Sequence, residues 1–325
     1  MGPVTRVAAV DCGTNSIRLL IADVAGADNA SGVAAGLCTD VHREMRIVTL
    51  GEGVDATGQF APAALARTEA ALTDYARLMA EYEVAKVRMV ATSATRDAAN
   101  RDIFFDMTAR VLGAVIPGAR AEVISGTEEA ALSFRGAVGE LDSALGPFIV
   151  VDLGGGSTEV VLGTATVQAS RSVDVGCVRV TERFLHSDPP TAAEVTGARE
   201  FVRGRLNEAL AVVPVAQGRT WVGVAGTFTT LAALALGLPA YDSERIHLSR
   251  IPISDVVAVC DDLIGMTRAQ RAALGPMHPG RVPVIGGGAI VAQELARELQ
   301  ARAATAELLV SEHDILDGVA LSVGL

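Results

Sequence analysis

The clearest indication of the fold is VVDLGGGSTEVVL, residues 150–162. Two apolar runs flank a turn that contains Asp152, three glycines and the sequence Ser-Thr-Glu. Glycine weakens a strand unless the backbone must turn sharply or let another group approach closely. The pattern therefore predicts a hairpin of two buried strands whose turn has a purpose beyond reversing the chain. A similar stretch, AVDCGTNSIRLLIADV, covers residues 9–24.

The two stretches align on their aspartates. Aspartate, glycine and serine recur with the same spacing, first as Asp11, Gly13 and Ser16 and then as Asp152, Gly154 and Ser157. One such hairpin would need no functional explanation, because Asp and Gly are common turn residues. Two copies at corresponding places in two halves of the chain indicate a duplicated domain with a ligand-binding turn in each copy.

The segments around the hairpins alternate between strand and helix patterns, which predicts α/β domains with partly parallel sheets. One helix is predicted over residues 95–113, and a strand over VPVI, residues 282–285, is expected to precede three glycines and a further helix. We expect a first domain over residues 1–127 and a second over 128–310. A terminal helix at 311–325 could pack back on the first domain.

The amino-acid composition argues against several classes of function. The chain has 325 residues, a net charge of −11 and a single lysine, so it lacks a P-loop lysine and a broad surface for nucleic acid or anionic membranes. The four cysteines and five histidines are dispersed, which predicts neither disulfides nor a zinc site. No apolar run is long enough to span a membrane and no secretory signal is recognisable, so we expect a cytoplasmic protein.

The chemistry of the two turns favours phosphate bound together with a metal. Glycine turns with Ser and Thr hydroxyls offer N–H and O–H donors to anions. The aspartates would repel phosphate, and they fit instead a divalent cation that bridges carboxylate and phosphate. The repeats differ at one position, where Arg18 stands in the first copy and Glu159 in the second. One copy thus offers a cation to phosphate and the other an extra carboxylate to metal.

Seven motifs in order carry a resemblance to a known family. They are DCGTNSIRLLIADV, VATSATRDAAN, EVISGTEEAALSFRGAV, VVDLGGGSTEVVLG, DVGCVRVTERF, GVAGTFTTLAAL and PGRVPVIGGGAIV. The duplicated layout resembles the actin, hexokinase and Hsp70 superfamily, and the motif set resembles the Ppx/GppA phosphatases within it. The resemblance implies duplicated α/β domains of the ribonuclease H-like kind with an interdomain cleft. It covers essentially the whole chain.

The resemblance also implies site residues. Glu129 would be the base that activates water, whereas Glu128 fits the ordinary role of a carboxylate at a helix N-terminus. Asp11, Asp152 and Glu159 would bind Mg²⁺ or another divalent cation. The phosphate ligands would be Gly13, Thr14, Asn15, Ser16, Arg18, Arg96, Gly154, Gly155, Gly156, Ser157, Thr158 and Arg281. For Arg96 and Arg281 a structural ion pair is an equal alternative.

The implied activity is hydrolysis of a phosphoanhydride. The first interpretation is an exopolyphosphatase that acts on short linear polyphosphate, and the second is hydrolysis of the 5′-γ-phosphate of guanosine pentaphosphate. Polyphosphate or a guanosine penta- or tetraphosphate would be the ligand, and we expect a homodimer that binds neither nucleic acid nor membrane. An ATP-dependent kinase of the superfamily and a non-catalytic nucleotide sensor remain as alternatives.

Overall fold

The computed structural model describes residues 4–25, 38–303 and 305–323. The strands of these ranges are β1 Val4–Cys12, β2 Ser16–Ala25, β3 Cys38–Ile47, β4 Lys86–Ala91, β5 Ala121–Val123, β6 Phe148–Leu153, β7 Thr158–Gly163, β8 Val167–Val173, β9 Thr220–Val224, β10 Ser249–Pro252 and β11 Glu307–Val310.

The helices of the same ranges are α1 Val54–Thr57, α2 Pro62–Glu81, α3 Ser93–Asp97, α4 Arg101–Gly113, α5 Gly126–Val138, α6 Cys177–Phe184, α7 Ala192–Leu210, α8 Ala225–Ala235, α9 Ser243–Ile246, α10 Ile253–Gly265, α11 Arg268–Ala272, α12 Ile285–Ala303 and α13 Ile315–Val323. Short 3-10 helices occupy Ser143–Leu145, Val215–Gln217 and Pro279–Arg281.

Contacts divide the chain into two compact units. The first comprises Met1–Gly139 and Ile315–Leu325, and the second comprises Glu140–Asp314. The division after Gly139 lies beyond the 127/128 boundary expected from the sequence, because α5 belongs to the first unit. There α5 packs on α13 so closely that a Cβ on Gly318 would lie 2.1 Å from the carbonyl oxygen of Leu132.

Both units contain the same sheet pattern. The first sheet has the order β3-β2-β1-β4-β5, and the second has β8-β7-β6-β9-β11 with β10 added at its edge. In each, a three-stranded antiparallel meander is followed by strands parallel to its first strand. This repeat confirms duplicated α/β domains with the strand order of the ribonuclease H-like fold.

Each unit has a core made by its own elements. In the first, residues of β1 and β2 pack on α2 and α4, with Tyr75 and Phe104 among the fully buried side chains. In the second, β6 and β9 pack against α7, α8, α10 and α12 around Trp221 and Phe228. The strands β6 and β7 are buried throughout, and β1 and β2 are largely buried, so both turns connect well-packed strands.

Two local predictions were wrong. The helix expected over residues 95–113 is interrupted between Asp97 and Arg101, because Ala98 is extended and the Asn100 side chain bonds the backbone of Phe60 in both directions, at 2.8 and 3.1 Å. The expected strand at residues 282–285 is absent, since residues 282–284 form a turn between a 3-10 helix and α12, which starts at Ile285.

The three glycines after this segment lie inside α12 instead of forming a turn. A Cβ on Gly286, Gly287 or Gly288 would lie 2.4 to 2.8 Å from side chains of the neighbouring helices. The glycines therefore permit close helix packing. The local sequence does not distinguish such glycines from those of a turn after a strand, and for this reason a strand was predicted.

Two expectations from composition concern the chain as a whole. Across the ranges 4–25, 38–303 and 305–323, no helix combines the length and the apolar character that crossing a bilayer requires. All four cysteines are free thiols, as expected, and Cys12 is buried so deeply that burial raises its thiol pKa.

Candidate functional site

The two aspartate hairpins have the same turn. The N–H of Gly13 donates to the Ser16 oxygen at 2.9 Å, and the N–H of Gly154 donates to the Ser157 oxygen at 3.0 Å. We call residues 13–16 the first loop and residues 154–157 the second loop. Their identical closure supports the alignment of the repeats made from sequence.

The carbonyl groups of the second loop point toward the start of α6. The oxygens of Gly154 and Gly155 accept hydrogen bonds from the first N–H groups of this helix, at 2.9 to 3.2 Å. The Gly156 oxygen accepts one from Arg179 Nε at 2.8 Å. Gly176 permits the contact, because a Cβ there would lie 2.4 Å from the Gly155 oxygen.

This arrangement fixes where the N–H groups of the second loop point. In a trans peptide the C=O and the following N–H point in opposite directions. The N–H groups of Gly155, Gly156 and Ser157 therefore point away from α6, and no residue in the described part of the chain accepts a hydrogen bond from them. Successive N–H groups that converge without an acceptor form an anion-binding nest.

The first loop is built in the same way from a different segment. The Thr14 oxygen accepts the Gly51 N–H at 2.8 Å, and the Asn15 oxygen accepts N–H groups of residues 48 and 49 at 3.0 and 2.8 Å. Gly51 is required for this approach, because a Cβ there would lie 2.2 Å from Thr14 Cγ2. The carbonyls of the first loop are thus engaged by the chain after β3, as those of the second loop are engaged by the chain after β8.

Unsatisfied polar atoms collect around the first loop. Thr14 Oγ1, Asn15 Oδ1 and, in the adjoining α3, Thr95 Oγ1 are buried without a hydrogen-bond partner among the described residues. A buried polar group without a partner costs about 1–3 kcal/mol, so such groups usually face a ligand or water. This clustering favours a polar ligand at the first loop.

The acidic residues occupy equivalent register positions. Asp11 pairs across the sheet with Arg18, and Asp152 pairs in the same way with Glu159. In the first pair Arg18 Nη2 lies 2.7 Å from Asp11 Oδ2, so the predicted metal ligand and the predicted phosphate ligand are bonded to each other.

The second pair sets two carboxylates side by side. Asp152 is 6% exposed and Glu159 is 1% exposed, and Ser172 Oγ donates to Glu159 Oε1 at 2.7 Å. Like charges opposite each other in a sheet repel, and burial makes their desolvation costly. Oxygen ligands of this kind suit a hard divalent cation, so these two residues fit the metal implied by the resemblance.

The glutamate doublet at the start of α5 separates into two environments. Ser125 caps the helix by accepting the Glu128 N–H at 3.2 Å. The Glu128 side chain is 43% exposed and pairs with Arg88 at 2.6 Å. The Glu129 side chain is 9% exposed and pairs with Arg96 Nη1 at 2.6 Å. Only Glu129 is enclosed in the interior of the unit.

The other predicted phosphate ligands are placed differently. Arg281 Nη1 donates to the Gly226 oxygen at 2.9 Å and to Thr230 Oγ1 at 2.8 Å, so its guanidinium ties the first turns of α8. Thr158 Oγ1 donates to the Val175 oxygen at 2.6 Å and holds the segment before α6. Both side chains thus make structural contacts, and their phosphate-binding role stays a prediction.

The predicted residues are divided between the two units. The first unit holds Asp11, the first loop, Arg18, Arg96 and Glu129, and the second unit holds Asp152, the second loop and Glu159. Sequence reasoning missed Gly51, Gly176 and Arg179, which position the loops. The signal for Arg179 was an arginine between two valines in DVGCVRVTERF, because a charged side chain in an apolar run is buried only with a partner.

Comparison with known proteins gives relatives along the whole chain. Residues 30–323 match the model of the Ppx/GppA phosphatase family. A protein of Mycobacterium tuberculosis (strain CDC 1551 / Oshkosh) named exopolyphosphatase 2 is 67% identical over 319 residues, which are 98% of each chain. A Photobacterium profundum protein named guanosine-5′-triphosphate,3′-diphosphate pyrophosphatase is 28% identical over 246 residues, which are 75% of this chain and 46% of that protein.

Two solved structures also match nearly the whole chain. The crystal structure of an exopolyphosphatase-like protein matches with a TM-score of 0.91 and 41% identity over 98% of this chain and 99% of that one. The Ppx/GppA family member of Aquifex aeolicus matches with a TM-score of 0.77 and 30% identity over 98% of this chain and 97% of that one.

Proposed function

Because the chain belongs to the Ppx/GppA phosphatase family, we propose that it is an exopolyphosphatase that releases terminal orthophosphate from short linear polyphosphate. The full-length similarity to a protein named exopolyphosphatase 2 supports the substrate class. One structural observation carries the proposal: both loops turn their carbonyls into the protein, and the second loop leaves three consecutive N–H groups without an acceptor among the described residues.

The loops would bind phosphate oxygens. The N–H groups of Gly155, Gly156 and Ser157 supply donors in the second loop, and Asn15 supplies one in the first. Thr14 Oγ1 adds a buried hydroxyl. Preformed donors in a site with little water stabilise charge that develops on a transferring phosphoryl group, because they need no reorganisation during the reaction.

Glu129 would be the general base. In the hydrolysis a water oxygen attacks the terminal phosphorus, and the bridging P–O bond breaks. The carboxylate takes the proton of the water, and the shortened polyphosphate leaves with the bridging oxygen. Arg96 holds the Glu129 carboxylate in place, while Arg18 supplies positive charge beside the first loop.

Magnesium is the cofactor proposed for this reaction. Asp152 and Glu159 would hold it, with Asp11 as a further acid, and the ion would neutralise phosphate charge as the P–O bond breaks. The adjacent buried carboxylates support a divalent cation in the second unit.

The cytoplasmic location and the homodimer stay predictions, and sedimentation velocity would test the dimer.

The test is a substrate panel with the full-length protein. Phosphate release would be measured with Mg²⁺ on polyphosphates of increasing length, on guanosine pentaphosphate and on ATP. The proposal expects the highest kcat/KM on short polyphosphate. A higher kcat/KM on guanosine pentaphosphate would show that the same site acts on that substrate instead. If no compound released phosphate, the protein would be a non-catalytic binding protein.

A further inference from the structure

Three side chains that are far apart in sequence meet in the second unit, and none of them is among the residues assigned above. Glu140 Oε2 lies 3.2 Å from His247 Nε2 and 3.5 Å from His313 Nδ1. Each residue offers one atom that could bind a metal, and these three atoms lie within 4.8 Å of one another. The centroids of the two imidazole rings are 4.6 Å apart. The sequence predicted no zinc site because its histidines are dispersed, and folding brings two of them together.

Two of the three separations match the spacing of ligands around zinc. Zinc bonds to imidazole nitrogen and carboxylate oxygen are about 2.0–2.2 Å long, which sets neighbouring ligands of a tetrahedral site about 3.3–3.6 Å apart. The two measured separations, 3.2 and 3.5 Å, are of this size. Two His and one Glu are also a known ligand set for zinc, with water in the fourth position.

The local backbone anchors the two histidines. His247 ends α9, and the next residue, Leu248, has a positive φ of 57° and donates its N–H to the Val310 oxygen at 2.7 Å. The turn around His313 is closed through Ser311 Oγ, which donates to the His313 oxygen at 2.8 Å and accepts its N–H at 3.0 Å. Such anchoring reduces the entropy lost when a ligand set closes on a metal.

We propose that Glu140, His247 and His313 bind one divalent transition-metal ion of the zinc class. Imidazole ligands favour zinc, nickel, cobalt or copper over magnesium, so this site differs in chemistry from the carboxylate pair Asp152 and Glu159. The inference does not depend on the proposed hydrolase activity.

The position of the site suggests a structural purpose. The chain passes between its two compact units after Gly139 and again after Asp314. Glu140 and His313 adjoin these two connections, and an ion held by both would join the connections to each other. His247 links them to the start of β10.

One hydrogen bond of His247 lowers the affinity that we expect for the metal ion. His247 Nδ1 accepts the Glu312 N–H at 3.2 Å, so without metal the ring carries its proton on Nε2 and donates it to Glu140. Metal binding at Nε2 moves that proton to Nδ1 and gives up the bond to Glu312. We therefore expect binding that is weaker than at zinc sites whose second ring nitrogen faces a carbonyl or carboxylate.

The test is zinc titration of the metal-free full-length protein in excess Mg²⁺, with a chromophoric chelator as competitor. We expect one zinc ion per chain. His247→Ala, His313→Ala and Glu140→Gln should each lower affinity by about tenfold or more, since loss of a supporting partner alone has an effect of this order. His186→Ala, at an exposed histidine elsewhere in the unit, is the matched control and should bind like the wild type.

A further variant separates this site from the proposed magnesium site. Asp152→Asn should bind zinc with unchanged affinity. If the wild type binds no zinc, or if the three ligand variants and His186→Ala bind it equally, the proposal is overturned. Should a histidine variant fail to fold, Glu140→Gln gives the same decision at an exposed side chain.

Discussion

Arg96 Nη1 lies 2.6 Å from Glu129 Oε2 and 3.1 Å from the carbonyl oxygen of Ile124. One guanidinium group therefore joins α3 to the chain that enters α5. The pair sets Glu129 apart from its neighbour Glu128, which is half exposed and bonded to Arg88. Two adjacent carboxylates of one helix turn thus have different environments, and this difference can be tested.

Glu129→Gln should lower kcat by about two to four orders of magnitude with little change in KM, because a general base contributes about that much and the amide keeps the size of the side chain. Initial rates of phosphate release over a range of substrate concentrations measure both constants. Glu128→Gln is the matched control and should cost much less. A larger loss in Glu128→Gln would transfer the role to that residue.

Arg96→Ala should destabilise the protein by about 2 kcal/mol, since it removes an ion pair of a largely buried carboxylate while some solvent screening remains. Urea unfolding measures the change. The double variant Arg96→Ala/Glu129→Gln should lose less than the sum of the two single variants, because the carboxylate charge that Arg96 stabilises is no longer present. Strict additivity would show that the pair contributes nothing to stability.

Removal of divalent metal should abolish phosphate release, and Mg²⁺ should restore it, because the buried carboxylates Asp152 and Glu159 would otherwise repel phosphate. In EDTA, Asp152→Asn should melt at or above the wild-type temperature, since it relieves repulsion between like charges. Mg²⁺ should raise the melting temperature of the wild type and leave that of Asp152→Asn unchanged.

The control for this experiment is Asp262→Asn, which changes an exposed aspartate of α10. It should respond to Mg²⁺ as the wild type does. Full activity of the wild type in EDTA would remove the metal role given to Asp152 and Glu159.

The duplicated fold could be predicted from sequence because its evidence is local. Asp11 and Asp152 each end an apolar run before a glycine turn, and this pattern depends only on neighbouring residues. Segments whose conformation depends on distant contacts were predicted less well. The break at Asn100 depends on hydrogen bonds to Phe60, and the glycines of α12 are explained only by the helices that pack against them.

The candidate site shows the same limit. The loop residues could be named from their motifs, but the direction of their N–H groups depends on Gly51 and on the start of α6. Gly51 lies 35 to 38 residues from the first loop, and α6 starts 20 to 23 residues after the second loop. Arg281 was also predicted from a motif to bind phosphate. Its guanidinium bonds to α8 in this structure, a contact that its motif did not indicate, and its phosphate-binding role stays a prediction. The meeting of His247 and His313 had no local signal at all.

The last prediction concerns Gly176, whose backbone is extended and therefore acceptable for any residue, so that only packing requires glycine there. A Cβ would lie 2.4 Å from the Gly155 oxygen and 2.7 Å from the Gly154 oxygen. Gly176→Ala must therefore move the second loop away from α6. Overpacking of this kind costs about 1–3 kcal/mol of stability.

The displaced carbonyls would turn the N–H groups of the loop as well, because each peptide unit is planar. Gly176→Ala should therefore raise KM and lower kcat in the phosphate-release assay. Gly204→Ala is the matched control in the same unit, since Gly204 is an exposed residue of α7 and nothing lies within 4 Å of the added Cβ. It should keep full activity. Its free energy of unfolding should rise by about 0.5–1 kcal/mol, because alanine loses less backbone entropy than glycine when a helix folds. If Gly176→Ala bound and hydrolysed substrate as well as Gly204→Ala, the second loop would not be the phosphate nest that its carbonyl contacts indicate.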